Sequence, residues 1–283
     1  MGTLYLVRHG QASFGADDYD VLSPLGHQQS RRLGEYFKQK GVHFEAALTG
    51  TLNRQVQTFA GICEGMGVSF ETRSATSPTM PVPSEGSAVR EEATSVGTAP
   101  HQQGPWNRLS RATGAVAPSG GSAVREATSV GAHIFWPGLN EYDSAAVIAT
   151  IHPYPLAKPD TPELYKHHFR LLKDGLAQWM AGVVSPRGMP SYNEFVAGIT
   201  GALEHIRTHH QGHVLLVSSG GPIATAVGHV LGTSPETTIE LNLGIRNCSV
   251  TEFAFTPKRQ RLVTFNTLPH LDSPEHAGWV TFA

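Results

Sequence analysis

Cysteine is scarce in this sequence of 283 residues, which contains two, Cys63 and Cys248. Two cysteines are too few for a disulfide framework, so the composition fits a reducing compartment and we expect the protein to be cytoplasmic. No cysteines and histidines have the spacing of zinc ligands, and the adjacent histidine pairs 167–168 and 209–210 would point to different faces of a helix. We therefore expect no metal site and no cofactor.

The sequence also has no large excess of positive or negative charge. The formal net charge is −2, so no broad basic surface indicates binding to nucleic acid or to an anionic membrane. No apolar stretch approaches the length that spans a bilayer, and the residues before Arg8 are too few for the apolar core of a signal peptide. These absences leave a small molecule as the expected partner and leave the oligomeric state open.

The first ten residues carry the most specific chemical pattern in the chain. Residues 3–7 read as a short buried strand, and Arg8, His9 and Gly10 follow it directly. An imidazole in this position suits nucleophilic attack on a phosphoryl group, an adjacent guanidinium neutralises phosphoryl oxygens, and glycine allows the backbone to approach closely. The tripeptide alone is weak evidence, because a charged turn can have the same composition.

A second candidate anion site follows the next predicted strand. Ser23 predicts the start of a helix that Gly41 ends. Residues 46–49 then read as a short strand, after which Asn53 predicts the N-cap of another helix. Arg54 lies in the first turn of that helix, where a guanidinium beside free backbone N–H groups favours an anion.

Five motifs, in order along the chain, resemble those of the histidine phosphatase superfamily, which is also called phosphoglycerate mutase-like. The matching segments are 8–11, 22–29, 49–54 with Thr58, 139–143 and 217–223. Together they are far more specific than any one of them. The resemblance covers residues 1–71 and 134–283.

The resemblance implies a role for several of the matching residues. His9 would be the nucleophile that becomes phosphohistidine, and Arg8 and Arg54 would bind the phosphate. Glu141 would protonate the leaving oxygen and then activate water, chemistry that suits a partly buried glutamate with a raised pKa. Gly220 opens a helix, so its backbone N–H would add a phosphate contact.

Two positions depart from the family pattern. Ser219 stands where the family usually has a second histidine that holds the phosphoryl oxygens. We expect the serine to bind phosphate as a hydrogen-bond donor, but it brings no positive charge, and losing a charged donor costs about 3 kcal/mol of transition-state stabilisation. Gly15 stands where mutase-like members tend to have a phosphate-binding asparagine, which favours a phosphatase over a mutase.

Residues 72–133 differ in composition from the rest of the chain. They are rich in Ser, Thr, Gly, Ala and Pro and show no sustained apolar period. They contain a repeat, in which residues 86–97 return as 121–131 with one glutamate fewer. Two copies are too few for a solenoid, so we predict a disordered insertion within the histidine phosphatase-like domain of 1–71 and 134–283.

The remaining segments predict an α/β fold. Strands alternate with helices, which favours a three-layer sandwich with a mainly parallel central sheet and helices on both faces. Residues 150–212 are expected to supply a small helical cap of two helices, the first capped by Thr161 or Asp160 and the second by Ser191. Strands over 249–255 and 261–265 would form an edge pair. The phosphate-binding residues would gather at the C-terminal ends of the strands.

The sequence thus favours a phosphomonoester hydrolase that works without metal through a phosphohistidine intermediate on His9. Three alternatives are left open. A phosphoglycerate mutase-like phosphotransferase would return the phosphate to another hydroxyl. A catalytically weak or inactive member of the family would bind phosphate without turnover, and an unrelated α/β binding domain would match the motifs by chance. No pattern in the chain identifies the substrate.

Overall fold

A seven-stranded sheet lies at the centre of the part of the protein that the structure describes. The structure is a computed structural model, and it describes residues 1–13, 20–73, 129–156 and 161–282. The strands are β1 (Gly2–Arg8), β2 (Phe44–Thr49), β3 (Ser69–Arg73), β4 (Ser129–Phe135), β5 (His213–Ser218), β6 (Val250–Thr256) and β7 (Arg259–Thr267). Their order across the sheet is β3-β4-β2-β5-β1-β6-β7.

The sheet is mainly parallel. Five adjacent strands run parallel to one another: β3, β4, β2, β5 and β1. Strand β6 is antiparallel to β1, and β7 is antiparallel to β6. The predicted parallel sheet and its edge pair are therefore confirmed. Because the carboxyl ends of parallel strands meet at one edge, the loops after β1, β2, β4 and β5 come together there.

Helices connect the strands and cover both faces of the sheet. Those in the described ranges are α1 (Pro24–Gln39), α2 (Asn53–Met66), α3 (Ser144–Ala149), α4 (Pro162–Met180), α5 (Tyr192–His209), α6 (Gly220–Leu231) and α7 (Pro235–Leu243). None of them is long and apolar enough to cross a membrane.

Local capping signals set the starts of several helices. The side chains of Ser23, Thr161 and Ser191 each accept a hydrogen bond from a backbone N–H in the first turn of α1, α4 and α5, respectively, as predicted. The predicted cap of α2 is wrong by one residue. Leu52 is the N-cap, without a side-chain bond, and Asn53 is the first helical residue.

Alternate residues of β1 face two separate buried cores. Leu4 and Leu6 pack in a core with residues of α4, α5 and α6. Val7 packs in a second core with residues of α1 and α2. Since successive side chains of a strand point to opposite faces of a sheet, the sheet separates the two cores. The three-layer α/β sandwich predicted from the sequence is thus confirmed.

The expected cap over residues 150–212 is only in part a separate structure. Ile199, Leu203 and Ile206 of α5 are buried in the same core as Leu4 of β1. Helix α5 therefore belongs to a layer of the sandwich. Of the two helices, α4 is the one that lines the cleft described below.

The predicted limits of the insertion need a correction at the C-terminal end. Residues 74–128, including the first repeat copy, lie outside the described residues. Strand β4, however, begins at Ser129, within the second copy, and pairs with β3 on one side and β2 on the other. Residues 129–133 therefore belong to the sheet. The sequence Ser-Val-Gly-Ala-His has little strand propensity of its own, so pairing on both sides gives this segment its conformation.

The close contact at Gly131 gives a test of this correction. A Cβ added at Gly131 would lie 2.3 Å from the backbone oxygen of Glu45, which cannot move without shifting β2. We expect Gly131→Ala to reduce the free energy of unfolding by about 1–3 kcal/mol, measured by chemical denaturation. Gly97→Ala, at the equivalent position of the first repeat copy, is the matched control and is expected to have no effect. Equal stability of the two variants would contradict the assignment of β4.

Candidate active site

Three strand ends bring the predicted site residues together. Arg8 is the last residue of β1, and His9 follows it. The end of β2 leads to α2, whose second residue is Arg54, and the end of β5 leads to α6, whose first residue is Gly220. Because β1 and β2 both pair in parallel with β5, these residues converge at one edge of the sheet.

The hydrogen bonds of His9 define which ring nitrogen can act as a nucleophile. His9 is buried, and its Nδ1 lies 2.8 Å from the carbonyl oxygen of Gly10. A carbonyl only accepts hydrogen bonds, so Nδ1 carries the proton of the neutral ring. Nε2 then has the free electron pair, and it accepts a hydrogen bond from Arg54 Nε at 3.3 Å. The nucleophilic nitrogen is therefore beside a guanidinium group.

The surroundings of His9 favour its neutral form. Burial lowers the pKa of His9 well below the ordinary value of 6.5, and the positive charges of Arg8 and Arg54 lower it further. The hydrogen bond to the Gly10 carbonyl acts in the opposite direction and is the smaller effect. A neutral imidazole has the free electron pair that a nucleophile needs.

Each of the two arginines is held by a specific acceptor. Arg8 Nη1 donates to the carbonyl oxygen of Ile245. Arg54 Nη1 forms an ion pair with Asp20 Oδ1 at 2.8 Å. The other oxygen of Asp20 accepts from the backbone N–H of Asn53 at 2.9 Å. Asp20 thus fixes both the start of α2 and the guanidinium of Arg54, a role that the sequence analysis did not assign.

Glu141 is the second titratable group of the site. Its carboxylate oxygens accept from the backbone N–H of Gly221, at 3.2 Å for Oε1 and 3.1 Å for Oε2. Burial raises the pKa of Glu141 above its ordinary value, against the opposing effects of this hydrogen bond and of Arg54 and Arg8. A raised pKa favours the protonated carboxyl, the form that acts as a general acid.

The two glycines at the start of α6 allow the close packing around Glu141. A Cβ at Gly221 would lie 2.2 Å from Glu141 Oε1 and 2.6 Å from the ring of Tyr142. A Cβ at Gly220 would lie 2.6 Å from Asn242 Oδ1. Any side chain at residue 221 would therefore displace the carboxylate.

Ser219 has a different environment from the other predicted site residues. It is fully buried, and its Oγ accepts a hydrogen bond from Gln55 Nε2 at 2.8 Å. The same Nε2 donates to the carbonyl oxygen of Leu139 at 3.1 Å. Gln55 Oε1 is buried without a hydrogen-bond partner, and it lies 2.0 Å from where a Cβ of Gly50 would be.

One open cleft of about 540 Å³ contains the other five predicted site residues, Arg8, His9, Arg54, Glu141 and Gly220. Ser219 is not among the residues that line the cleft. The cleft is also lined by residues that the sequence analysis did not assign to binding: Tyr142, Asp143, Ser144, Phe169, Leu172, Asn242, Leu243 and Phe282. Phe169 and Leu172 lie on α4, and hydrophobic periodicity in the sequence does not distinguish a buried helix face from a cleft wall.

Two further expectations from the sequence concern Gly15 and a metal site. Gly15, used above to favour a phosphatase over a mutase, lies outside the described residues. Within the ranges that the structure describes, no three His, Cys, Asp or Glu side chains form a group that could hold a metal ion.

The chain belongs to the histidine phosphatase superfamily (branch 1), whose family profile matches residues 4–115 and 161–268. The resemblance noted in the sequence is thereby confirmed. Among relatives, a 2,3-bisphosphoglycerate-dependent phosphoglycerate mutase of Mesorhizobium japonicum is 35% identical over 74 residues, 24% of this chain and 35% of that protein. A broad-specificity phosphatase of Saccharomyces cerevisiae is 33% identical over 64 residues, 20% of this chain and 27% of that protein. The match thus spans about a third of the length of these curated relatives.

Solved structures share the fold over most of the chain. YhfR of Bacillus stearothermophilus has a TM-score of 0.55 and 15% sequence identity, over 95% of this chain and 99% of that one. A mycobacterial glucosyl-3-phosphoglycerate phosphatase has a TM-score of 0.52 and 16% identity, over 94% of this chain and 99% of that one. At these identities the likeness concerns the fold alone.

The contact between Gly221 and Glu141 gives a prediction for the site. If Glu141 acts as the general acid of the reaction proposed below, Gly221→Ala is expected to lower the turnover of a phosphomonoester by about a hundredfold or more, because the new Cβ displaces its carboxyl group and general acid catalysis contributes about 10²–10⁴ in rate. The measurement is steady-state kinetics, with circular dichroism to verify folding. Gly278→Ala, where an added Cβ meets nothing within 4 Å, is the control. A folded Gly221→Ala variant with full activity would show that Glu141 does not need this contact.

Proposed function

We propose that this protein hydrolyses small phosphomonoesters through a phosphohistidine intermediate on Nε2 of His9. The observation that carries the proposal is that one cleft holds His9, with Nε2 3.3 Å from Arg54 Nε, together with Arg8 and Glu141, and that these surroundings shift the pKa values of His9 and Glu141 in opposite directions. Burial and two guanidinium groups lower the pKa of His9, and burial raises the pKa of Glu141. Each shift increases the fraction of the protein that has a neutral nucleophile and a protonated acid, which is the productive combination.

In the first step, Arg8 and Arg54 bind the phosphoryl oxygens and His9 Nε2 attacks phosphorus. A bond forms between nitrogen and phosphorus, and the bond between phosphorus and the ester oxygen breaks. Glu141 gives its proton to the departing oxygen, which leaves as an alcohol. The guanidinium groups are beside the charge that develops on the phosphoryl oxygens, where they stabilise the transition state most effectively.

In the second step, the carboxylate of Glu141 removes a proton from water as the water oxygen attacks phosphorus. The bond between nitrogen and phosphorus breaks, inorganic phosphate leaves, and His9 and Glu141 return to their starting forms. The proposed steps use no metal, because the two guanidinium groups supply the positive charge. The mechanism is thus that of a metal-independent phosphomonoesterase of the acid-phosphatase type.

The cytoplasm is the compartment that we propose for this activity. Cys63 and Cys248 are both free thiols, and Cys248 is buried next to the site, where its backbone N–H donates to the carbonyl oxygen of His9 at 3.3 Å. This arrangement suits a reducing environment. The proposed partner is a small phosphorylated substrate.

Two related functions would use the same residues. A phosphotransferase would pass the phosphoryl group from His9 to another hydroxyl group, as the similarity to a phosphoglycerate mutase suggests. A catalytically weak member would bind phosphate without turnover, which the serine at position 219 favours. Detection of phosphate transferred to a sugar acid, of free phosphate, or of neither separates the three functions.

The covalent intermediate is the most direct test of the proposed function. We expect acid-labile, base-stable phosphorylation of His9 during turnover, detected by mass spectrometry after a rapid quench. His9→Ala should remove the phosphorylation and essentially all hydrolysis, because it removes the nucleophile. His43→Ala, which removes an exposed histidine, should behave like the wild type. Near-normal turnover by His9→Ala would refute the mechanism.

The dependence on pH follows from the two pKa shifts. Because the pKa of His9 is lowered, the imidazole should stay neutral well below pH 6.5. Because the pKa of Glu141 is raised, its carboxyl should keep its proton above pH 4.5. We expect kcat/KM to fall at low pH as His9 gains a proton and at higher pH as Glu141 loses one.

Glu141→Gln tests the assignment of the alkaline side of this profile. The variant should lose the alkaline decrease and should lower kcat by about 10²–10⁴ for alkyl phosphates. The loss should be smaller for p-nitrophenyl phosphate, whose leaving group needs no proton. An alkaline decrease that persists unchanged in Glu141→Gln would assign it to another group.

A further inference from the structure

Four of the side chains that line the cleft are apolar, and we call them the apolar wall. Phe169 and Leu172 lie three residues apart on α4, so they share one face of that helix. Leu243, at the end of α7, and Phe282, near the C-terminal end of the described residues, complete this wall. Phe169 is 40% exposed and Phe282 is 58% exposed. Two phenyl rings that remain open to solvent beside a phosphate site offer an apolar contact surface to whatever the phosphate is attached to.

The charges in the same cleft are arranged for a single anionic group. Its described cationic residues, Arg8 and Arg54, both lie beside His9, where the transferred phosphate binds. The described acidic residue outside that centre is Asp143, whose Oδ1 accepts from the first backbone N–H groups of α3 at 2.9 and 3.0 Å. A second anionic group on the substrate would therefore be near a carboxylate and against phenyl rings. Anionic groups without a partner are disfavoured in such surroundings.

We infer that the organic part of the substrate is apolar and uncharged, an alkyl or aryl group, rather than a sugar acid or a second phosphate. This inference rests on the proposed function, and it specifies the substrate class of the same site. The phosphate would contact Arg8, Arg54 and His9, while the organic group packs against Phe169, Leu172, Leu243 and Phe282. The wall thus selects substrates by burying their apolar surface, and Asp143 disfavours anionic ones.

Three esters of primary alcohols test this inference with leaving groups of similar chemistry: 2-phenylethyl phosphate, ethyl phosphate and 3-phosphoglycerate. We expect kcat/KM to be about tenfold or more higher for 2-phenylethyl phosphate than for ethyl phosphate, and lowest for 3-phosphoglycerate. Phe169→Ala should reduce the ratio between the first two substrates. Val263→Ala, which removes exposed apolar surface on β7, is the control and should leave the ratio unchanged.

A second variant, measured with the same esters, tests the role of Asp143. Asp143→Asn removes the negative charge but keeps a side chain that can cap α3. It should raise kcat/KM for 3-phosphoglycerate several-fold relative to ethyl phosphate. An unchanged ratio in this variant would contradict the role of Asp143.

Binding measurements make the test independent of turnover. The non-hydrolysable phosphonate analogues of the three esters should show the same order of affinity in isothermal titration calorimetry. Equal affinities, or a preference for the anionic analogue, would overturn the inference even if His9-dependent hydrolysis is observed. The expected order of affinities without any hydrolysis or phosphohistidine would instead support the inference and refute the proposed function.

Discussion

The neutral imidazole of His9 between two guanidinium groups is the arrangement on which the rest of the site depends. An imidazolium in this position would be repelled by Arg8 and Arg54 and would have no electron pair for phosphorus. Burial keeps the ring neutral, and the bond from Nδ1 to the Gly10 carbonyl keeps Nε2 available. The fold achieves this by placing the end of β1 at the centre of the sheet, between β5 and β6, where little solvent reaches His9.

The pairing of the central strands also places Glu141 near His9. Strand β5 pairs with β1 on one side and β2 on the other, so the start of α6 is fixed next to His9 and Arg54. Gly221 at that start binds Glu141, which comes from the loop after β4. His9, Glu141 and the two arginines, which come from three chain segments, thus share one edge. Their spacing is set by strand pairing, which is more rigid than a loop.

Features that depend on nearby residues were predicted from the sequence, whereas features that depend on contacts between distant segments were not. The helix starts at Ser23 and Ser191 were predicted correctly because capping is local, and His9 and Glu141 were predicted as site residues because motifs surround them. Strand β4 was not predicted, because its conformation comes from pairing with β2 and β3. Asp20 and Phe282 were missed because their roles depend on contacts with residues far away in the sequence. The burial of Ser219 could not be predicted either, since it depends on where the Gln55 side chain packs.

The packing of Gln55 couples three positions of the chain. Its amide fills the space beside Ser219, and its Oε1 occupies the place that a side chain at residue 50 would need. A larger side chain at residue 50 would meet Gln55 Oε1, and one at residue 219 would meet Gln55 Nε2. We therefore expect the effects of substitutions at residues 50, 55 and 219 on the free energy of unfolding to be non-additive.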